Sequence, residues 1–442
     1  MNPILAHGLG GRSDLPVPLW LALYGGGAAI VLSFAVLTVF WKSPKLRGDK
    51  AGCPLPHGVQ RVADAPATRA ILRALGIVLS MGLIGAAAFG SPDTFDNPAP
   101  VWFYVWFWVG LVPVSLFFGP VWRLLNPLRT LSALFVRISG ARGGESYLDI
   151  PAWVGFWPAA AGLTAFVWLE LVFQDPSRPL TVLIFVVLYG AANLLAASLY
   201  GERWFAQGDG FEVYSTLLAS MSALGRRADG RLVVRSPLEG LATVEPIPGL
   251  VAFVSVLLGS TAFDGLTRTA PWSSLTQSQS TLPNLLIGTI GLAGSIGFVA
   301  VTFVSAARFS RRFMADSAPK NFERSFVHSL MPIVVGYTLA HYFSLFVFEG
   351  QNGYILASDP FARGQNLFGT AAWDINYTLV TTSAIALVQV AAIVIGHVVG
   401  VISAHDRAVA IFPRRASTRA QYALLVVMVA YSVGGIALLV GT

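Results

Sequence analysis

The feature that most constrains this chain is a set of ten apolar runs, each about as long as a bilayer is thick. They lie near 17–41, 70–90, 99–118, 151–173, 179–200, 248–267, 283–307, 326–348, 376–403 and 420–441. About twenty apolar residues in helical form cross the ~30 Å hydrocarbon layer. Backbone groups in lipid must be satisfied internally, so spanning segments are helices or closed barrels. The runs are continuous rather than alternating, which excludes the barrel. Composition agrees: 55% of the 442 residues are hydrophobic, 12% are charged and the mean hydropathy is +0.66. A soluble domain carries about 25% charged residues. The sequence therefore predicts an all-α, polytopic transmembrane bundle of about ten spans, forming a single integral membrane domain over residues 1–442.

Orientation follows from the basic residues. The loops after the first, third, fifth, seventh and ninth spans, with the flanking helix ends, hold 7, 4, 5, 5 and 4 of them, 25 of the 29 Lys and Arg. The opposite face holds Arg12, Arg178, Arg268 and Arg363. The basic loops are expected in the cytoplasm and both termini on the outer face of a bacterial plasma membrane. The net charge of +7 then reflects topology and contact with membrane lipid, and nucleic-acid binding has no separate support. Cys53 is the only cysteine, so no disulfide framework or thiolate metal site is expected. Residues 1–15 lack the basic start of a signal peptide, so the first span is expected to stay.

Two segments, 119–149 and 201–247, read as cytoplasmic amphipathic loops. In the first, "GPVWRLLNPLRTLSALFVRISG" mixes Arg with Leu, Trp and Phe at helical spacing and breaks at Asn126-Pro127. In the second, Tyr214 to Leu224 has helical spacing, and "RADGRLVVRSP" reads as a hairpin about Asp229-Gly230. The steps "FGPVWR" at 118 and "YGERWF" at 200 share an aromatic-Gly-x-x-Trp pattern, 82 residues apart, that a duplicated two-helix unit would produce.

Ionisable side chains inside spans are costly and face the bundle interior or a wet cavity. Here they are Glu170, Asp264, His328, His341, Glu349, His397 and His405, with Asn193 and Gln389 as uncharged additions. At ~100° per residue, Glu349 falls about 80° and Tyr337 about 40° from His341. The three are expected to face one cavity in the outer half, with His341, Glu349 and Asp264 as catalytic candidates and Tyr337 as a substrate contact. His328 and His397 are placed to meet nearer the cytoplasm, while His405, beside Asp406, is expected at the interface. The outer segment "AHGLGGRSDLP" ends in helix-capping residues, Ser13 or Asp14 and then Pro16. Capping leaves His7 and Arg12 unexplained, and both are candidates to bind substrate. His341, His7 and Asp14 offer the nitrogen and oxygen donors that a divalent metal ion takes, although no His-Glu-x-x-His spacing is present.

The strings "AHGLGGRSDLPVPLWLALYGG", "GVQRVADAPATRA", "NPAPVWFYVWFWVGLVPVSLFFGPVWRLLNPLRTL" and "FEVYSTLLASMSALGRRADGRLVVRSPLEGL" resemble a family of bacterial integral membrane proteins known as fenitrothion hydrolases, and the resemblance runs through nearly the whole chain. It implies cleavage of a lipophilic aryl phosphorothioate triester, releasing a nitrophenol, and it supplies no catalytic residues. Such chemistry needs water activated by a metal ion or by a general base. Other classes remain open on the residues alone: a proton- or ion-coupled transporter, a haem-carrying subunit using His328 and His397, and a non-catalytic assembly partner.

Overall fold

The computed structural model describes residues 18–138, 147–314, 322–413 and 416–440. In chain order the principal helices are α1 (Leu19–Phe40), α2 (Pro66–Phe89), α3 (Ala99–Phe118), α4 (Pro127–Ile138), α5 (Trp157–Leu171), α6 (Pro179–Tyr200), α7 (Gly210–Ala219), α8 (Leu250–Thr267), α9 (Thr281–Arg311), α10 (Met331–Leu356), α11 (Thr382–Ile411) and α12 (Tyr422–Val440). A 3₁₀ segment, Phe322–Leu330, leads into α10. Among the described residues nine helices are long and apolar enough to cross a membrane, so the protein is an all-α, multi-pass membrane protein. The fourth expected run folds differently. Its helix, α5, has 15 residues, about 22 Å at 1.5 Å per residue, and turns occupy 152–156 before it.

The chain forms two compact units. Unit 1 comprises Met1–Ala51, Pro237–Leu345 and Thr378–Thr442; unit 2 comprises Gly52–Ser236 and Phe346–Tyr377.

In unit 1 the helices α1, α8, α9, α11 and α12 pack around the first half of α10. The closest approach is between α10 and α11. A side-chain carbon at Gly396 would lie 2.5 Å from the Pro332 carbonyl oxygen, and one at Gly336 would lie 2.3 Å from that of Ala392. Only glycine lets the two backbones come so near, the usual device of membrane bundles, which lack a hydrophobic drive between helices. Ala22, Tyr337, Ala340, Ile393 and Ile436 make a buried cluster beside that crossing.

In unit 2, α2 is the outermost span and exposes Ile71, Val78, Leu79 and Met81, an apolar exterior suited to lipid. Residues Trp102–Val109 of α3 wind as a π-helix, with the Gly110 N–H donating to the Val105 carbonyl at 3.0 Å. The widened turn stands just ahead of Pro113, whose missing N–H and ring would otherwise break the helix ladder. A small antiparallel sheet joins β1 (Cys53–Pro54), β3 (Leu232–Val234) and β2 (Leu224–Arg226) in that order. Its hairpin turns at Gly230, φ +80°, as the Asp-Gly pair predicts. An Asp64–Arg226 ion pair ties the sheet to the short helix His57–Asp64, and that hydrogen bond holds the Asp64 carboxyl below the usual carboxylate range.

The segment 201–247, expected as a water-side loop, is in part an interior element. Every residue of α7 except Thr216 is buried, packed against α5 and the second half of α3. The physical reason is local. Gly208-Asp209-Gly210 breaks the chain, α5 is short, and the apolar run after the break fills the space beside it. The segment 119–149 keeps its expected break at Asn126-Pro127, and α4 exposes Leu131, Leu134, Phe135 and Ile138 while burying Arg129 and Ser132.

Candidate functional site

In unit 1, Asp264 lies in the last turn of α8 and Arg268 follows that helix, one turn on. Both meet His341 from the middle of α10. The His341 Nε2 stands 2.5 Å from Asp264 Oδ2, and Arg268 Nη2 donates to Asp264 Oδ1 and Oδ2 at 3.2 and 3.3 Å. The same guanidinium nitrogen is 3.2 Å from His341 Nε2. His341 and Asp264 are buried, whereas Arg268 is partly open. Because Asp264 is already paired with a guanidinium, the ion pair is internally balanced, which is what makes such charges tolerable away from water. An ionised carboxylate can only accept, so the consistent assignment has Nε2–H donating to Asp264. That leaves the lone pair of the imidazole on Nδ1, which is buried and has no partner among the described residues. Tyr337, one turn earlier on α10, has its ring centroid 6.3 Å from that of His341. Its hydroxyl is likewise buried with no partner among the described residues.

The predicted residues thus divide. Asp264 and His341 come together, with Tyr337 adjacent. Glu349 belongs to unit 2, where the Asn352 amide donates to it; the partner of His341 is Asp264. Helical phase alone gave Glu349 a shared direction and had no information on α8. His7, Arg12 and Asp14 lie outside the described residues. The metal reading has two of its three ligands there. Among the described residues no group of three or more His, Cys, Asp or Glu side chains is arranged to hold a metal ion.

His328 and His397 do not pair as expected. His397 Nδ1 is bonded to the Ile393 carbonyl on its own helix at 2.9 Å, and His328 is held by the backbone of Ser325 and Ser403. His405 is buried rather than interfacial, with Nδ1 2.9 Å from Gln421 Oε1 and Nε2 3.0 Å from the Trp41 carbonyl.

Unit 2 holds a second polar cluster that the sequence pattern did not reveal. Arg129 Nε and Nη2 clamp the Glu212 carboxylate, both at 2.6 Å. Asp209 caps α7 through the Phe211 N–H, and accepts from Asn126 at 2.8 Å and from the Tyr189 hydroxyl at 2.6 Å. Tyr189 in turn accepts the Gly210 N–H at 2.8 Å. These groups satisfy one another, so the cluster reads as the anchor of the chain break at Gly208-Asp209-Gly210. The signal for it was an acid at the break and another three residues later, before an apolar run.

The fold and site define a helical membrane protein with a buried Asp-His-Arg centre. Comparison with known protein families, with curated proteins and with solved structures finds no match to this chain.

Proposed function

We propose that this chain is a plasma-membrane hydrolase of neutral, lipophilic phosphotriesters of the fenitrothion class, working by general-base activation of water. The observation that carries the reading is the His341 ring, clamped through Nε2 to Asp264 and leaving Nδ1 as a buried proton acceptor. In the reaction, Nδ1 takes a proton from water as the water oxygen bonds to phosphorus. The P–O bond to the aryl group breaks and nitrophenolate leaves with its electron pair. Asp264 holds the ring and stabilises the imidazolium, as the carboxylate of a catalytic triad does. Arg268 pairs with the Asp264 carboxylate and keeps it ionised against the ring. His341 then returns its proton to solvent. No metal-dependent step is needed.

Purified protein in detergent, given fenitrothion, should release nitrophenol with or without chelator. Asp264→Asn and His341→Gln should lower the rate roughly 10²–10⁴-fold, the usual value of a general base. Folded variants with full activity would remove the assignment. The break at Gly208-Asp209-Gly210, with charged groups buried beside it, favours a second reading, a proton-coupled carrier built on discontinuous helices. No release by folded wild-type protein, together with proton-driven uptake into sealed vesicles, decides for the carrier.

Ten spans with both termini outside is the topology that the contacts of unit 1 favour. Trp41 and Lys45, after α1, bond to Asp406 near the end of α11. Arg47 bonds to Glu239 before α8, Arg407 to Ala242, and Arg308 at the end of α9 pairs with Glu323 ahead of α10. One end of the unit therefore gathers these basic residues, and Arg268 lies at the other. The chain leaves unit 1 at Ala51 and re-enters at Pro237 on the same end, so it crosses an even number of times between. Spans α2, α3 and α6 give three. Within unit 2, Leu148 bonds to Leu199 at the end of α6, while Tyr104 and Thr94 bond to Pro176 and Ser177 just before its start. The stretch 149–171, turns followed by α5, supplies the fourth crossing.

A further inference from the structure

Unit 1 contains a cavity of about 390 Å³, within the 300–1,000 Å³ range of small-molecule sites. Its walls come from α8, α9, α10, α11 and α12 and are almost wholly apolar. It opens sideways between α9 and α12, where Gly294, Phe298 and Ala430 are exposed. The exposed residues there are apolar, and Tyr431 bridges the two helices to Thr302 and the Val299 carbonyl, so the approach is from the lipid layer.

Two buried polar side chains among its walls are unexplained by packing. The first is Tyr337, whose hydroxyl has no partner among the described residues. The second is His397, 2% exposed. The carbonyl oxygen of Ile393 can only accept, so the proton of the neutral imidazole is fixed on Nδ1. Nε2 is then an acceptor, and it too has no partner among the described residues. A buried polar atom left unmatched is costly, so two among the residues of one cavity point to an occupant that matches both. It must donate a hydrogen bond to His397 and exchange one with Tyr337, and otherwise be apolar. A hydroxyl can donate to an imidazole nitrogen and can pair with a tyrosine hydroxyl, and the rings of Phe298 and Tyr431 on the wall suit an aromatic body.

We infer that this cavity is a binding site for a lipophilic phenol that enters from the bilayer between α9 and α12. Phenols are also the class that aryl triester hydrolysis would release, but the inference stands on the cavity's own atoms and holds for a hydrolase or a carrier. Its test reads binding, not turnover, so its failure is separate from failure of the dyad.

The probe is tritiated 4-hexylphenol, measured on full-length protein in lipid nanodiscs with empty nanodiscs subtracted. One saturable site per chain is expected. His397→Phe should weaken it at least tenfold and Tyr337→Phe severalfold. The methyl ether, 4-hexylanisole, which has no proton to donate, should fail to compete. Gly434 lines the cavity and a side-chain carbon there meets nothing within 4 Å, so Gly434→Leu should fold normally and abolish binding by filling the space. The inference is overturned if no saturable binding appears, if anisole competes as well as the phenol (a gap taken by any acyl chain), or if the folded His397→Phe and Gly434→Leu proteins keep wild-type affinity.

Discussion

Arg129 occupies a helix whose outward residues are Leu131, Leu134, Phe135 and Ile138, and it points the other way, into unit 2. Its guanidinium meets Glu212, 1% exposed, in a two-bond fork. Such a pair is worth little more than a well-packed apolar pair of the same volume, whereas removing one member leaves an uncompensated charge and costs about 3–5 kcal/mol. Glu212→Leu or Arg129→Met alone should therefore lower the melting temperature of the detergent-solubilised protein sharply. The double variant should recover most of the loss. Additive losses in the double variant would instead show that the two charges do not depend on each other. The Asp264–Arg268 pair near His341 invites no such rescue, because its carboxylate has a second duty to the imidazole. An apolar pair there would restore stability and still leave the ring unheld.

At the level of elements, the apolar runs were legible because span length is dictated by the bilayer, and nine of them became long helices. The fourth did not, since hydropathy cannot separate a full span from turns followed by a 15-residue helix. The interior position of α7 was hidden for a related reason: Gly208-Asp209-Gly210 reads as a loop, and only the short α5 makes room for an apolar helix beyond that break. The repeated aromatic-Gly-x-x-Trp step has a structural counterpart. Gly119 and Gly201 end α3 and α6 with φ of +82° and +70°, and each is followed by a short helical turn, a break, and a helix. The residues after the breaks then pair with each other, Asn126 with Asp209 and Arg129 with Glu212. In the candidate site, Asp264 and His341 were legible as costly residues in spans, but their pairing was not, because it depends on how α8 meets α10. Helix contact itself is testable at Gly396, where any side chain strikes the Pro332 carbonyl. Gly396→Val should force α10 and α11 apart and cost several degrees of melting temperature. Gly297→Leu, in a position with nothing within 4 Å, should leave melting unchanged. Equal effects would mean that the crossing is not where unit 1 is held.

For the whole molecule the open quantity is parity. Cys53 pairs with Val234 in the sheet, so residues 53 and 245 should lie on the same side, which requires that α5 and the turns before it cross the membrane together with α2, α3 and α6. Cys53 is exposed and the only cysteine, and Glu245, in the connection before α8, is also exposed. Impermeant maleimide applied to intact cells should leave Cys53 unlabelled and should label it once the membrane is opened. In a Cys53→Ser background, Glu245→Cys should behave the same way. Asp374→Cys, in the exposed connection between α10 and α11, should be labelled without opening the cells. Labelling of position 245 in intact cells, with Cys53 protected, would make the number of spans between the two positions odd. The charge pattern alone could not settle this, because the basic residues of 201–247 are counted on the inner side only if the fourth crossing exists. Position 245 tests that crossing directly, and Asp374 reports the side on which the connection between α10 and α11 lies.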